Sequence, residues 1–302
     1  MRRKLLVAGF LVSTMAFSTA CGLASRDRVR SIKRMNEGIE LSKKNNTAGA
    51  EKALQEAVAI DKTNSQAHFN LGKIYRKQKK WVDAEKAFQS AIEAMVDSPN
   101  GKFWYELGAV QSEQGSADGV PTAEKEAAFR KSISSYQEAL KLNPKLYKAH
   151  YRTAVLHEKL DEPEQADVEY RKTIELKPTF SPAFVNLGNM YIDYGFANVA
   201  MVVLQTGTQV NDTDARMWNG LGRAHLSLNQ PKEAVDAFTK AKAIDPDMVD
   251  VLFGLGMAYA EMRKRKEAVE NLNLFLQKAS SDTPPDRVKA ARDTVARMED
   301  VI

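Results

Sequence analysis

Asn70-Leu71-Gly72-Lys73-Ile74-Tyr75, followed by Ala84, Phe88 and Ala91, is the stretch that decides the fold. The same order of residue types returns at Trp218, Leu221, Gly222, Ala234, Phe238, Ala241 and Pro246. The pattern recurs in seven registers, with units starting at Ser31, Ser65, Gly101, Tyr147, Ser181, Ala215 and Val249. Four of the six spacings are 34 residues, and the other two are 36 and 46. Position 8 of the units reads Gly38, Gly72, Gly108, Ala154, Gly188, Gly222 and Gly256. Position 20 is Ala in six units and Ser132 in the third. Position 24 reads Leu54, Phe88, Tyr136, Tyr170, Leu204, Phe238 and Leu272. A repeat of this length is one supersecondary unit that cannot bury its apolar face alone, so neighbours must stack.

Each unit reads as two antiparallel helices, A then B. Small residues at 8 and 20 let the two backbones approach, and large apolar residues at 4, 7, 11 and 24 fill the space beside them. Pro144, Pro178 and Pro246 at position 32 stop helix B. Turn signals mark the A–B corner at Asp161-Glu162-Pro163, Tyr194-Gly195 and Asn229-Gln230-Pro231. The pattern resembles the tetratricopeptide repeat family over residues 31–282. That resemblance implies an all-α fold: a right-handed superhelical solenoid of about seven helical hairpins.

Two segments flank the repeats. Residues 283–302 carry Val288, Ala291, Val295 and Met298 on one stripe and read as a C-terminal capping helix. The third unit holds a 12-residue insertion near 115–126, with a loop at Gly115–Pro121 and helix B beginning at Thr122 as its N-cap. The insertion reads either as a tolerated lengthening of a solvated corner or as a partner-contacting protrusion.

The chain opens differently. Residues 1–20 have a basic start (Arg2, Arg3, Lys4), then a short apolar stretch ending at Ala20. This is the layout of an export signal, and the stretch falls short of the roughly 20 apolar residues that span a bilayer. Ser18-Thr19-Ala20-Cys21 resembles the lipobox of bacterial lipoproteins, with an ordinary secretory signal or a buried hydrophobic cysteine as the alternatives. The resemblance implies lipidation (palmitate among the acyl groups) at Cys21, the chain's one cysteine, a lipidated tether over 21–30, and anchoring to a bilayer. Gly22 after the cysteine implies the bacterial outer membrane, with the solenoid facing the periplasm.

Composition closes off other classes. One Cys excludes a disulfide framework, and four scattered His disfavour a metal centre. The net charge is +5, and removal of the leader leaves +2, which gives no reason to expect nucleic acid. His150 and His157 are seven apart on one A helix, too far to share a metal, and read as packing residues. No nucleophile elbow, phosphate loop or paired-histidine motif occurs, so neither an enzyme nor a cofactor or small-molecule substrate is expected.

Binding is the expected activity. In this family the inner wall is lined by helix A at positions 2, 5, 9 and 12. This implies a peptide groove at Phe69, Lys73, Tyr105, Tyr151, Asn189, Asn219 and Arg223, to which Arg152 at position 6 is added. Intramolecular packing along the stack is the alternative for these side chains. Some relatives bind a C-terminal carboxylate with five set residues. Lys148 and Arg152 match two of them, but Phe69, Lys73 and Glu106 stand where Lys, Asn and Asn are required, which disfavours that function. The expected protein is a membrane-anchored scaffold for an envelope protein or peptide. Assembly of a type IV pilus secretin, as by a pilotin, and an adaptor role for peptidoglycan hydrolases are the two alternatives.

Overall fold

In the first hairpin Ser31 Oγ donates to the carbonyl of Ala57 at 2.7 Å, and Gly38 lies against Leu54. That pairing of positions 8 and 24 is the seam of the whole fold. The structure, a computed structural model, describes residues 11–95 and 99–299, with side-chain surroundings from Arg26 onward. Residues 1–10 and the side chain of Cys21 lie outside the described residues.

Fifteen helices and no strand occur among the described residues. They fall in two compact units, up to Ala149 and from His150. The first holds α1 (Leu11–Lys43), α2 (Thr47–Ile60), α3 (Ser65–Lys77), α4 (Trp81–Glu93), α5 (Gly101–Gly115) and α6 (Thr122–Leu142). The division falls in the first turn of α7 (Tyr147–Lys159). The second unit continues with α8 (Pro163–Leu176), α9 (Ser181–Asp193), α10 (Ala197–Val210), α11 (Ala215–Ser227) and α12 (Pro231–Ile244). It ends with α13 (Val249–Glu261), α14 (Arg265–Lys278) and α15 (Pro285–Glu299).

The repeated residues sit where the packing needs them. All seven position-20 residues are fully buried, and the position-24 side chains are at most 1% exposed. At each position-8 glycine an added methyl would lie 2.5–2.9 Å from the position-24 side chain of its own hairpin. In the third hairpin Ser132 replaces alanine, and its Oγ donates to the Gly108 carbonyl at 2.6 Å. A buried hydroxyl is thereby satisfied at the closest point of α5 and α6.

The A–B corners repeat as closely as the seams. Position 15 has positive φ in six of the seven hairpins: Asn45, Lys79, Asp161, Gly195, Asn229 and Arg263, between 57° and 81°. In each, the next amide donates back to the position-11 carbonyl, for example Lys80 to Tyr75 at 3.0 Å and Phe196 to Tyr191 at 2.7 Å. This is the Schellman closure of a helix C-terminus. At the B–A corners Asn64 and Asp214 accept from Ala67 and Arg216 amides as N-caps. Helices α6, α8 and α12 each end two residues before Pro144, Pro178 and Pro246.

The insertion is largely helix. α5 extends to Gly115, and α6 runs 21 residues against 13 or 14 in the other B helices. Gly115 packs on Ala128 and Phe129, which is 7% exposed, so the extension carries its own small seam. Thr122 is the first helical residue rather than the cap. Pro121 holds the cap position at φ −61° and ψ 149°, and no side chain caps the helix. At the start of the chain, α1 is helical throughout residues 22–30, where a tether was expected. No helix among the described residues is long and apolar enough to cross a membrane. α15 closes the last hairpin through Ala291, which packs with Leu252, Leu272 and Phe275.

Candidate functional site

The A helices carry the candidate binding residues, and each unit presents its own set. In the first unit Phe69 is core. It is 2% exposed, stacked on Phe103 at 4.5 Å between ring centres and edge-on to Phe88 at 5.5 Å. The position-5 aromatic is therefore drawn inward by Phe103, the position-3 residue of the next A helix. Two ammonium groups stay near its ring, Lys73 Nζ at 6.0 Å and Lys102 Nζ at 5.5 Å from the centroid. Tyr105 is half-buried against Tyr136 at 5.4 Å.

Beside these aromatics, Arg76 of α3 bridges two carboxylates of α5. Its Nη1 donates to Glu106 at 2.6 Å, and its Nε to Glu113 at 2.9 Å. The hydrogen bonds to Glu113 and the charges of both glutamates hold the Arg76 pKa above its usual value, against desolvation.

In the second unit the A helices carry a polar chain of bonds. Asn186 Nδ2 donates to the hydroxyls of Tyr151 at 3.1 Å and Tyr170 at 3.2 Å. Tyr170 in turn donates to Glu158 Oε2 at 2.6 Å. One helix further on, Arg223 donates to Asn189 Oδ1 at 2.9 Å and Asp193 Oδ1 at 3.0 Å. Asn219 sits half-buried on the same helix as Arg223, and its Oδ1 is shielded from solvent without a hydrogen-bond donor. A buried acceptor in that state costs free energy until a donor reaches it. Arg152 is exposed.

Burial shapes the acid–base character of this set. Desolvation raises the pKa of Glu158, and the neighbouring Asp193 charge adds to the rise while the Tyr170 hydroxyl opposes it. Desolvation also raises Tyr170, with the bond to Glu158 next, and it raises Tyr151.

The histidines are engaged locally. His157 Nδ1 lies 2.7 Å from Glu162 and His225 Nδ1 2.8 Å from Gln230, each bridging positions 11 and 16 of a corner. His150 Nδ1 lies 2.5 Å from Glu169, and His68 Nε2 3.0 Å from the Lys62 carbonyl. No group of three His, Cys, Asp or Glu suited to a metal occurs among the described residues.

Of the eight groove residues expected from sequence, Phe69 alone is buried. Lys73 and Arg152 are exposed, and Tyr105, Tyr151, Asn189, Asn219 and Arg223 are half-buried. Sequence reasoning missed Asn186 at position 6, and Glu158 and Asp193 at positions 12 and 13. Glu158 and Lys102 stood on inner positions 12 and 2 and were available to it.

Antiparallel hairpins of near-constant length, each closed by a small-residue seam and presenting a mixed polar and aromatic A-helix face, define a helical-repeat protein. Tetratricopeptide repeat family models match residues 41–102, 215–248 and 250–281. Those three stretches of the chain are tetratricopeptide repeats.

The chain is 22% identical over 276 residues to human Superkiller complex protein 3, covering 78% of this chain and 17% of that protein's length. It is similar to the solved C-terminal part of a tetratricopeptide repeat protein from Cytophaga hutchinsonii. That match has 14% identity, 84% and 98% coverage of the two chains and a TM-score of 0.66. PilW, described as a widely conserved type IV pilus biogenesis factor, matches at 16% identity, 73% and 96% coverage and a TM-score of 0.56. Identities at this level show a shared fold.

Proposed function

We propose that the chain is a protein-binding scaffold whose A-helix faces receive segments of a partner, with no catalytic step of its own. One observation carries this reading: the row of Asn186, Asn189 and Asn219 with Arg223 on the A helices α9 and α11. Side-chain amides and a guanidinium at the surface of a rigid stack suit a peptide backbone, which offers donors and acceptors in alternation. Reserving rigid helices for such contacts avoids ordering costs on the receptor side.

In this reading the leader exports the chain, and acyl groups on Cys21 hold it at the periplasmic face of the outer membrane. Confinement to a surface raises effective concentration, so modest affinity suffices. The fold likeness to PilW favours secretin or pilus assembly over a peptidoglycan-hydrolase adaptor as the finer role. Metabolic labelling with an alkyne palmitate, comparing the natural chain with Cys21→Ser, tests the anchor. Label that vanishes with the cysteine supports it, and equal label in both overturns it. Crosslinking and mass spectrometry in intact cells tests the scaffold role. Repeated capture of one envelope protein on α9 and α11 supports it, and capture confined to other faces contradicts it.

A further inference from the structure

A cleft of about 590 Å³ opens in the first unit where the start of α5 meets the end of α6. Its floor is apolar, made by the Tyr105 ring with Leu142, 43% exposed, and Leu146. Its rim is cationic, made by Lys102 and Lys148, both exposed and neither in an ion pair among the described residues. Lys73 stands close by, since it shares the Phe69 ring with Lys102. The one carboxylate in the lining, Glu106, is already held by Arg76 at 2.6 Å. The lining therefore holds two lysines and one carboxylate that is already paired. The cleft's shape depends on Gly101. A methyl there would lie 2.9 Å from the Ala139 carbonyl, so the start of α5 reaches the end of α6 only without a side chain.

Apolar floor and unpaired cations ask for one kind of occupant. We infer that this cleft docks an acidic, extended segment of the protein partner, one that sets a leucine or aromatic side chain on Tyr105, Leu142 and Leu146 and its carboxylates against Lys102 and Lys148. Charge complementarity chooses the sign of the partner. In an extended chain neighbouring side chains point to opposite sides and every second one to the same side, so alternating leucine and glutamate meets floor and rim together. The inference rests on the scaffold reading in one respect, that an A-helix face receives a partner chain, and it adds the chemistry of that chain for the first unit.

The test is fluorescence anisotropy on the full chain with a fluorescein-labelled peptide of alternating glutamate and leucine, capped at both ends. A matched lysine–leucine peptide and phosphatidylglycerol vesicles serve as the other arms. The expected result is saturable binding of the acidic peptide that weakens as salt rises. Lys102→Gln with Lys148→Gln weakens it at least tenfold, whereas Lys232→Gln, at an exposed lysine of α12 in the second unit, leaves it unchanged. Both lysines are exposed, so the double variant keeps the fold, which an unchanged urea midpoint verifies. Equal affinity of the double variant, equal affinity for the lysine peptide, absence of binding, or lysine-dependent binding of the vesicles alone would each overturn the inference. If the acidic peptide fails while Asn189→Ala still abolishes partner capture, the scaffold reading stands and this one falls.

Discussion

Gly222 and Phe238 meet at the seam of their hairpin: a methyl on Gly222 would lie 2.6 Å from Cδ1 and Cε1 of the Phe238 ring. Phe238 has no exposed surface and is also packed against Gly254, so the ring has little room to withdraw. Two effects compete in Gly222→Ala. Relief of glycine in a helix interior gains about 1 kcal/mol, and overpacking a filled core costs about 1–3 kcal/mol. The close distance decides for overpacking, and a net loss of about 1 kcal/mol is expected. Urea denaturation of the full chain measures it, and a midpoint at or above that of the natural chain contradicts the seam.

The corners give the opposite sign at one site. Lys79 holds φ at 59°, where a side chain costs roughly 1–2 kcal/mol and glycine nothing. Lys79→Gly is therefore expected to raise the urea midpoint, despite the extra freedom of glycine in the unfolded chain. Gly195→Ala, at φ 81°, is expected to lower it. The two shifts, measured side by side, separate backbone conformation from side-chain loss.

Glu158 makes stability depend on pH. Its pKa in the folded chain is raised by desolvation, and its neighbours are Tyr151 on its own helix, Tyr170 on α8, and Asp193 and Tyr194 at the end of α9. A carboxyl with a raised folded pKa binds more protons folded than unfolded, so its contribution falls as pH rises from the ordinary glutamate range through the folded value. Glu158→Gln keeps an acceptor for Tyr170 and cannot ionise. The variant is expected to gain stability over the natural chain as pH rises through that window and to match it at lower pH. Thermal unfolding at a series of pH values checks this, and parallel curves for the two chains would exclude the role of Glu158.

The seam was legible because a small residue, glycine in six units and Ala154 in the fourth, stands sixteen before a large side chain in every unit but the third, where the insertion separates them further. The corners were half legible. Gly195, Asn229 and Asp161 are residue types that favour positive φ, whereas Lys79 and Arg263 adopt it because the closing bond to position 11 outweighs their preference. For Phe69 the packing alternative holds, because spacing fixes only which side of a helix a residue occupies. It does not say that Phe103 on the neighbouring helix will cover it. The insertion was legible in length but not in form: its new seam rests on Gly115 and Phe129, one pair with no repeat to reveal it. The bonds from Asn186 to two tyrosines join three helices, and no local pattern encodes such a meeting.

The account stands on partner binding by the A helices, and affinity capture from the native envelope tests that most directly. Natural chain, Asn189→Ala and Asn219→Ala are compared, with equal urea midpoints required of all three. The account predicts that one envelope protein is recovered with the natural chain and lost by at least tenfold with either variant. Undiminished recovery with both variants would contradict it.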